Sequence, residues 1–293
     1  MPTLVAQNLA FGILMGGLYG LAAVGLSLVF GVTKFLNVAH GELLMLGGYA
    51  SFWIFTLRGV DPFLSLPAIA VLLVLIGLIL YTLLFSRMVK LPEADKIKNT
   101  LLVGFGVSLI LQNLALLFFT ADDRGITTSY AGKAFTLLGV RFPIVRVASL
   151  AIALVCLVAL HFFLRRTYTG KAIRATVEDW EAATVMGINI QQVYLLAFVI
   201  SAGMAGMAGA LVAVCQSIVP TMGLDWTLIA LVVMVLGGLG NILGTFVGGI
   251  ALGVTHALTN IWPGGEYREI VALLLFLVVL VSRALGLFGS KEG

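Results

Sequence analysis

Charge is scarce in this sequence: Asp, Glu, Lys and Arg make up 10% of its 293 residues, against 61% hydrophobic. A soluble domain with that balance could not cover its own surface, so a soluble enzyme or binding module is excluded. Reactive side chains are equally thin. Cys156, inside an apolar run, and Cys215, at the end of one, form neither a metal-ligand spacing nor a disulfide framework. His40, His161 and His256 are scattered without metal-ligand spacing. A P-loop is missing, because the Gly170-Lys171 pair lacks the upstream glycine and is followed by Ala172 instead of Ser or Thr. The chain is therefore expected to be no enzyme, with no catalytic residues, no metal and no cofactor of its own. Carriers coupled to protons or sodium need ionisable groups deep in their spans, at about 2.5–3.5 kcal/mol each. Here Glu42, Asp225 and Arg283 fall near the ends of apolar runs, and His256, the one well inside, reads as a hydrogen-bonded packing residue. The formal charge of +4 forms no basic stripe for nucleic acid and is read as the orientation bias of membrane loops. The N-terminus has no basic n-region or cleavage signal and is read as a retained first helix.

What is abundant is apolar sequence in runs near the ~20 residues that cross a bilayer. The expected fold is an all-α polytopic membrane protein with about eight or nine crossings, one transmembrane domain over 1–293. Spans are read at 8–30, 42–57, 63–86, 99–119, 144–164 and 191–214, two shorter helices within 227–259, and a last span at 269–287. Gly12, Gly16 and Gly20 share one face of the first span, the small-xxx-small pattern of closely packed helices, and Gly240, Gly244 and Gly248 repeat the spacing. Gly47 and Gly48 suit close packing or a backbone that lines a path. Gln112 and Asn113 lie mid-span, where amides need partners and most readily glue helices together. The segment 120–143 is a long polar loop with room for short strands or helices.

One charged island interrupts the oily sequence, RRTYTGKAIRATVEDWEAATVMGINI at 165–190. Read as one helix from 171, it aligns Ile173, Val177, Trp180 and Thr184, with Arg174, Glu178 and Glu181 beside or opposite that stripe. Gly170 permits the turn into it, and Gly187 suits a left-handed cap at its end. An amphipathic helix too polar to span either lies on lipid or docks on a protein, and periodicity alone leaves both open. If the island is cytosolic, alternation puts 11 of the 17 Lys and Arg residues on its side, with the N-terminus outside and the C-terminus in the cytosol.

Three stretches in order then resemble a known family, the integral permease subunit of bacterial and archaeal ABC importers for branched-chain amino acids. They are GGLYGLAAVGLSLVFGVTKFLNVAHGELLMLGGY (Gly16 to Tyr49), the island's Gly170 to Ala175 with Glu181-Ala182-Ala183 and Gly187-Ile188-Asn189, and GGLGNILGTFVGG (Gly237 to Gly249). The island matches the family's EAA-x3-G loop, except that Asp179-Trp180 precede the triplet where a smaller pair is expected. The resemblance covers nearly the whole chain. It implies a type II importer permease bundle in the cytoplasmic membrane of a bacterium or archaeon. The implied partners are a second homologous permease (a heterodimer), two cytosolic ATPases that use ATP and Mg, and a periplasmic or lipid-anchored binding protein. It also implies that Arg174, Glu178, Trp180, Glu181, Ala182, Ala183 and Gly187 couple to the ATPase. Asn37, His40, Glu42, Gly47, Gly48, Gly237, Gly238, Gly240 and Asn241 are the candidates for the substrate path or its gate, with helix-end capping as the competing role for the polar ones. The uncharged path suits leucine, isoleucine or valine; urea, short amides or small aromatic acids are the alternative cargo, and a passive small-solute channel or a structural membrane subunit the alternative classes.

Overall fold

The computed structural model describes residues 2–89, 92–262 and 264–282. In chain order the elements are α1 (Pro2–Thr33), α2 (His40–Arg58), α3 (Pro62–Leu83), α4 (Glu93–Phe119), β1 (Ala134–Leu137), β2 (Val140–Pro143), α5 (Ile144–Arg166), α6 (Tyr168–Glu178), α7 (Trp180–Val185), α8 (Ile190–Cys215), α9 (Met222–Gly237), α10 (Ile242–Ile261) and α11 (Arg268–Ser282). Among the described residues, α1, α3, α4, α5, α8 and α10 are long and apolar enough to cross a membrane. The other expected crossings correspond to α2, α9 and α11. Positions 283–287 of the expected last span, Arg283 among them, lie outside the described residues.

Burial sorts these helices. α1 and α8 are buried over most of their length, whereas α3, α4 and α5 turn broad apolar faces outward, with Leu64, Val71, Leu102, Leu117 and Val155 all more than half exposed. Those faces are the natural lipid contact. α5 connects the two ends of the bundle, entering from the β1–β2 hairpin and leaving into α6; we call these ends the hairpin face and the island face.

The centre is a glycine seam between α1 and α10. A Cβ at Gly12 or Gly16 would strike the backbone of residues 249–254, one at Gly249 the backbone of Gly20, and one at Gly253 that of Gly12 and Gly16. The seam partners are thus Gly249 and Gly253. Gly244 and Gly248, which share the spacing, pack against Gly237 of α9 instead. α2 docks on α8 in the same manner, Gly47 against the backbone of Gly206 and Gly48 near the carbonyl of Gly209. The space left by these missing side chains is filled by neighbouring helices.

Two expectations about side chains fail. Asn113 is exposed and its amide donates to the carbonyl of Leu109 in its own helix, so it glues no helix of this chain. His256 is buried, but neither ring nitrogen has a hydrogen-bond partner; its ring meets Tyr19 edge-on with centroids 5.6 Å apart.

The loop after α4 forms the β1–β2 hairpin, closed by Leu138 and Gly139, both at positive φ. Gln7 of α1 grips this hairpin through both ends of its amide, donating to the Arg141 carbonyl (2.7 Å) and accepting from the Arg141 N–H (2.8 Å). Tyr130 donates to Asp61 (2.6 Å), which also caps α3 by accepting from Phe63 N–H. Burial, and then the bond to Asp61, push the Tyr130 phenol up to about 12.

Candidate functional site

The single helix expected from 171 is two helices. Asp179 adopts an extended backbone (φ −155°, ψ 106°), ending α6 and starting α7. Its carboxylate accepts from the N–H groups of Glu181 and Ala182, both at 2.9 Å, the standard N-cap pattern. The break falls at Asp179-Trp180, the pair that precedes the Glu181-Ala182-Ala183 triplet. Ile173 is buried while Val177, four residues on in the same helix, and Trp180, beyond the break, are exposed, so the predicted stripe does not form one buried face.

At the far end of α7, Gly187 has φ +83°. Its N–H donates to Thr184 and that of Ile188 to Ala183, the paired bonds of a Schellman cap. Gly170 lets α6 lie against the end of α5, where a Cβ would strike the backbone of Phe163 and Leu164, and Thr167 caps α6 by accepting from Gly170 N–H. Arg174 donates to the Leu164 carbonyl (3.1 Å), satisfying a carbonyl at the C-terminus of α5. Of the coupling candidates, Ala183 is buried. Arg174, Glu178, Trp180, Glu181, Ala182 and Gly187 are exposed beside the uncovered Val185 and Met186 (87% and 83% exposed). A cleft of about 970 Å³ separates α6 and α7 from the ends of α1, α4 and α8, with Lys34, Lys96, Glu178 and Asp179 on its walls.

The second group of candidates is brought together inside the bundle. After α1, Thr33 accepts from Phe35 N–H, Lys34 takes a positive φ, and residues 34–39 run back into the protein without helical structure. Their course is marked on α4. Leu36 N–H donates to Thr100, a Cβ at Gly104 would meet the Val38 nitrogen, and Ser108 donates to Glu42 Oε1 (2.9 Å). Thr100 to Ser108 is about 12 Å of helix. Glu42 thus lies at the middle of α4 and is fully buried, contrary to the expectation of a hydrated span end. Its carboxyl group rests against Gly223, where any side chain would displace it, and Oε2 has no hydrogen-bond partner.

α2 accordingly starts at mid-depth. Asn37 accepts from Ala39 N–H, turning the chain into the helix; His40 Nε2 donates to the Ala22 carbonyl (2.8 Å); Gly41 N–H donates to Thr227 of α9, whose hydroxyl donates to Val38. α9 begins at the same depth, since Trp226 meets Tyr19, near the midpoint of α1, with ring centroids 5.5 Å apart. Two helix starts therefore meet in the interior, joined by Glu42, Ser108, Gly223 and Thr227. Irregular backbone at membrane depth is found where protein buries it or a cavity borders it. Sequence reasoning found Asn37, His40 and Glu42 but missed Ser108, Gly223 and Thr227, which carry no motif and acquire meaning only as neighbours of residue 42.

The remaining candidates lie apart, toward the island face. Gly238 (φ +99°) and Gly240 (φ +81°) form the tight link from α9 to α10, Gly237 packs against Gly244 and Thr245, and Gly240 touches Gly31 at the end of α1. Asn241 caps α10 by accepting from Gly244 N–H (2.9 Å).

Comparison with known proteins agrees with this architecture. Residues 8–280 match the family described as "Branched-chain amino acid transport system / permease component". The chain is 30% identical to the high-affinity branched-chain amino acid transport system permease protein LivH of Escherichia coli K12, over 98% of this chain and 96% of that protein. It is equally similar, with the same coverage, to the high-affinity branched-chain amino acid transport system permease protein BraD of Pseudomonas aeruginosa. The ribose import permease protein RbsC of E. coli K12 is 25% identical over 96% of this chain and 87% of that protein. No solved structure matches. The chain is a multi-pass membrane protein and belongs to the family of permease components of branched-chain amino acid transport systems.

Proposed function

We propose that this chain is the membrane-spanning half of an ATP-driven importer for leucine, isoleucine and valine. It takes substrate from a binding protein on the hairpin face and releases it on the island face. In this reading the island face and the C-terminus are cytosolic and the N-terminus is outside. Hydrolysis of ATP, with its Mg, belongs to two separate ATPase subunits, and a second homologous permease completes the membrane portion. The observation that carries the reading is α7. It is a six-residue helix held by a cap at each end, with Trp180 and Val185 exposed on it and Met186 exposed at its C-terminal cap. A helix that short gains little stability alone. Rigid caps around exposed apolar side chains suit a plug that seats in a partner's groove, and nucleotide-driven movement of that partner would then pull on α5 through α6 and on α8 through the Gly187 cap.

The test is uptake of radiolabelled leucine by vesicles holding the full complex, with co-purification of the ATPase followed in parallel. Glu181→Lys and Gly187→Trp are expected to abolish uptake and release the ATPase. Uptake that persists without ATP in these variants would identify a channel and refute the proposal.

A further inference from the structure

A cavity of about 160 Å³ lies between Tyr19 of α1 and helices α9, α10 and α11. Its volume equals about five waters at ~30 Å³ each, suited to one small molecule. Its lining combines two kinds of chemistry. Leu228, Ile229, Val232 and Leu252 form an aliphatic wall, while Asp225, Glu269 and Arg268 bring formal charges of both signs. Among the described residues no ion pair within 4 Å engages any of these three. His256 also lines the cavity, more than nine-tenths buried and with both ring nitrogens unpartnered.

The charges at the cavity restrict what covers it. Asp225, in the first turn of α9 beside Trp226, is exposed, and so are Arg268 and Glu269 in the first turn of α11. Charged side chains turned toward hydrocarbon are disfavoured, most strongly at the bilayer centre. This side of the bundle, unlike the outer faces of α3, α4 and α5, therefore borders a polar path or another protein.

We propose that this cavity is a binding site for a zwitterionic aliphatic amino acid on its way through the membrane. Arg268 pairs with the carboxylate, Asp225 and Glu269 hold the ammonium, His256 supplies a further hydrogen bond, and the substrate side chain lies on the aliphatic wall. A guanidinium presents a donor fork matched to a carboxylate, and charge-assisted hydrogen bonds are stronger than neutral ones. A neutral amide or a sugar would leave all three charges unused. This site rests on the amino-acid reading above and specifies which residues carry it.

The experiment uses the assembled importer in nanodiscs, with Cys156 and Cys215 replaced by alanine and Leu228→Cys introduced. The rate of modification by a methanethiosulfonate reagent is measured with and without leucine; Leu273→Cys, an exposed lining position on α11, is the second reporter should the first fail to assemble. With leucine at about ten times its Kd, modification is expected to slow about tenfold, because only the unoccupied fraction reacts. 4-Methylpentanoate, which lacks the ammonium, and isoamylamine, which lacks the carboxylate, should not protect. Arg268→Gln should remove protection by leucine. Equal rates with and without leucine, in a complex that takes leucine up, overturn the site and leave the importer reading standing, as would happen if a partner subunit covered these charges. Equal protection by all three compounds refutes zwitterion recognition. A wild-type complex that takes up no leucine removes the reading on which the site rests, and the site with it.

Discussion

Replacing Asp179 with alanine tests how the island is built. The carboxylate caps α7 by accepting two backbone N–H groups at 2.9 Å, and loss of an N-cap side chain costs about 0.5–2 kcal/mol. With only six residues, α7 has little helical stability in reserve, so the loss falls on the wound state itself. If the ATPase binds only wound α7, the apparent Kd rises by the factor by which that state is depleted, up to roughly 30-fold at 2 kcal/mol. The assay is affinity of the proposed ATPase subunit for the permease in nanodiscs, measured by fluorescence anisotropy alongside leucine uptake. Asp179→Asn retains an oxygen acceptor without the charge and should return affinity to within about twofold of wild type. An asparagine variant as impaired as the alanine one would mean that the charge matters and the cap does not. An alanine variant with unchanged affinity would remove α7 from the docking surface altogether.

Other substitutions probe the bundle. Gly249→Leu drives a side chain into the backbone of Gly20, and overpacking of this kind costs at least about 1–3 kcal/mol; the expected result is a lower melting temperature in detergent and aggregation on size exclusion. Glu42→Gln keeps an acceptor for Ser108 and should be mild, whereas Glu42→Leu removes it at about 1–3 kcal/mol, a contrast read by thermal unfolding of the two variants. Gln7→Ala deletes both bonds to Arg141, each worth about 0.5–1.5 kcal/mol, and should raise hydrogen exchange across 134–143 while leaving α8 protected. The Tyr130 phenol, raised from 10.0 to about 12, favours its protonated form in the fold. Its contribution is whole below pH 10 and is lost as pH rises toward 12, so the loop around Tyr130 should loosen over that window in wild type but not in Tyr130→Phe.

Hydropathy and glycine spacing made the long helices legible, because a span must be apolar for about 20 residues and a close helix pair must be small along one stripe. The island's outer limits were legible for a similar reason: Gly187 and the charges around it are local signals. Its internal break was not, since Asp179 fits a helix surface as readily as a cap until its backbone conformation is known. Depth was the larger failure. Glu42 and Asp225 each follow a link that looks like an ordinary loop, and periodicity does not reveal that both links turn back into the bundle. The choice of Gly249 and Gly253, instead of Gly244 and Gly248, as partners of α1 depends on rotation about the α10 axis, which two sets of glycines at equal spacing leave undetermined.

The α1–α10 seam also has a mechanical meaning. Where backbone rests on backbone, no side-chain rotamers remain to rearrange, so the contact has little compliance and the two helices act as one stiff spar running from the hairpin face to the island face. Gly31 and Val32, at the island end of that spar, border the same cleft as Thr176 and Val177 of α6, while Gln7, near its other end, holds the hairpin. A displacement applied at α6 would therefore reach the hairpin with little attenuation, and relative motion would be confined to helices attached to the spar more sparsely, α4 above all.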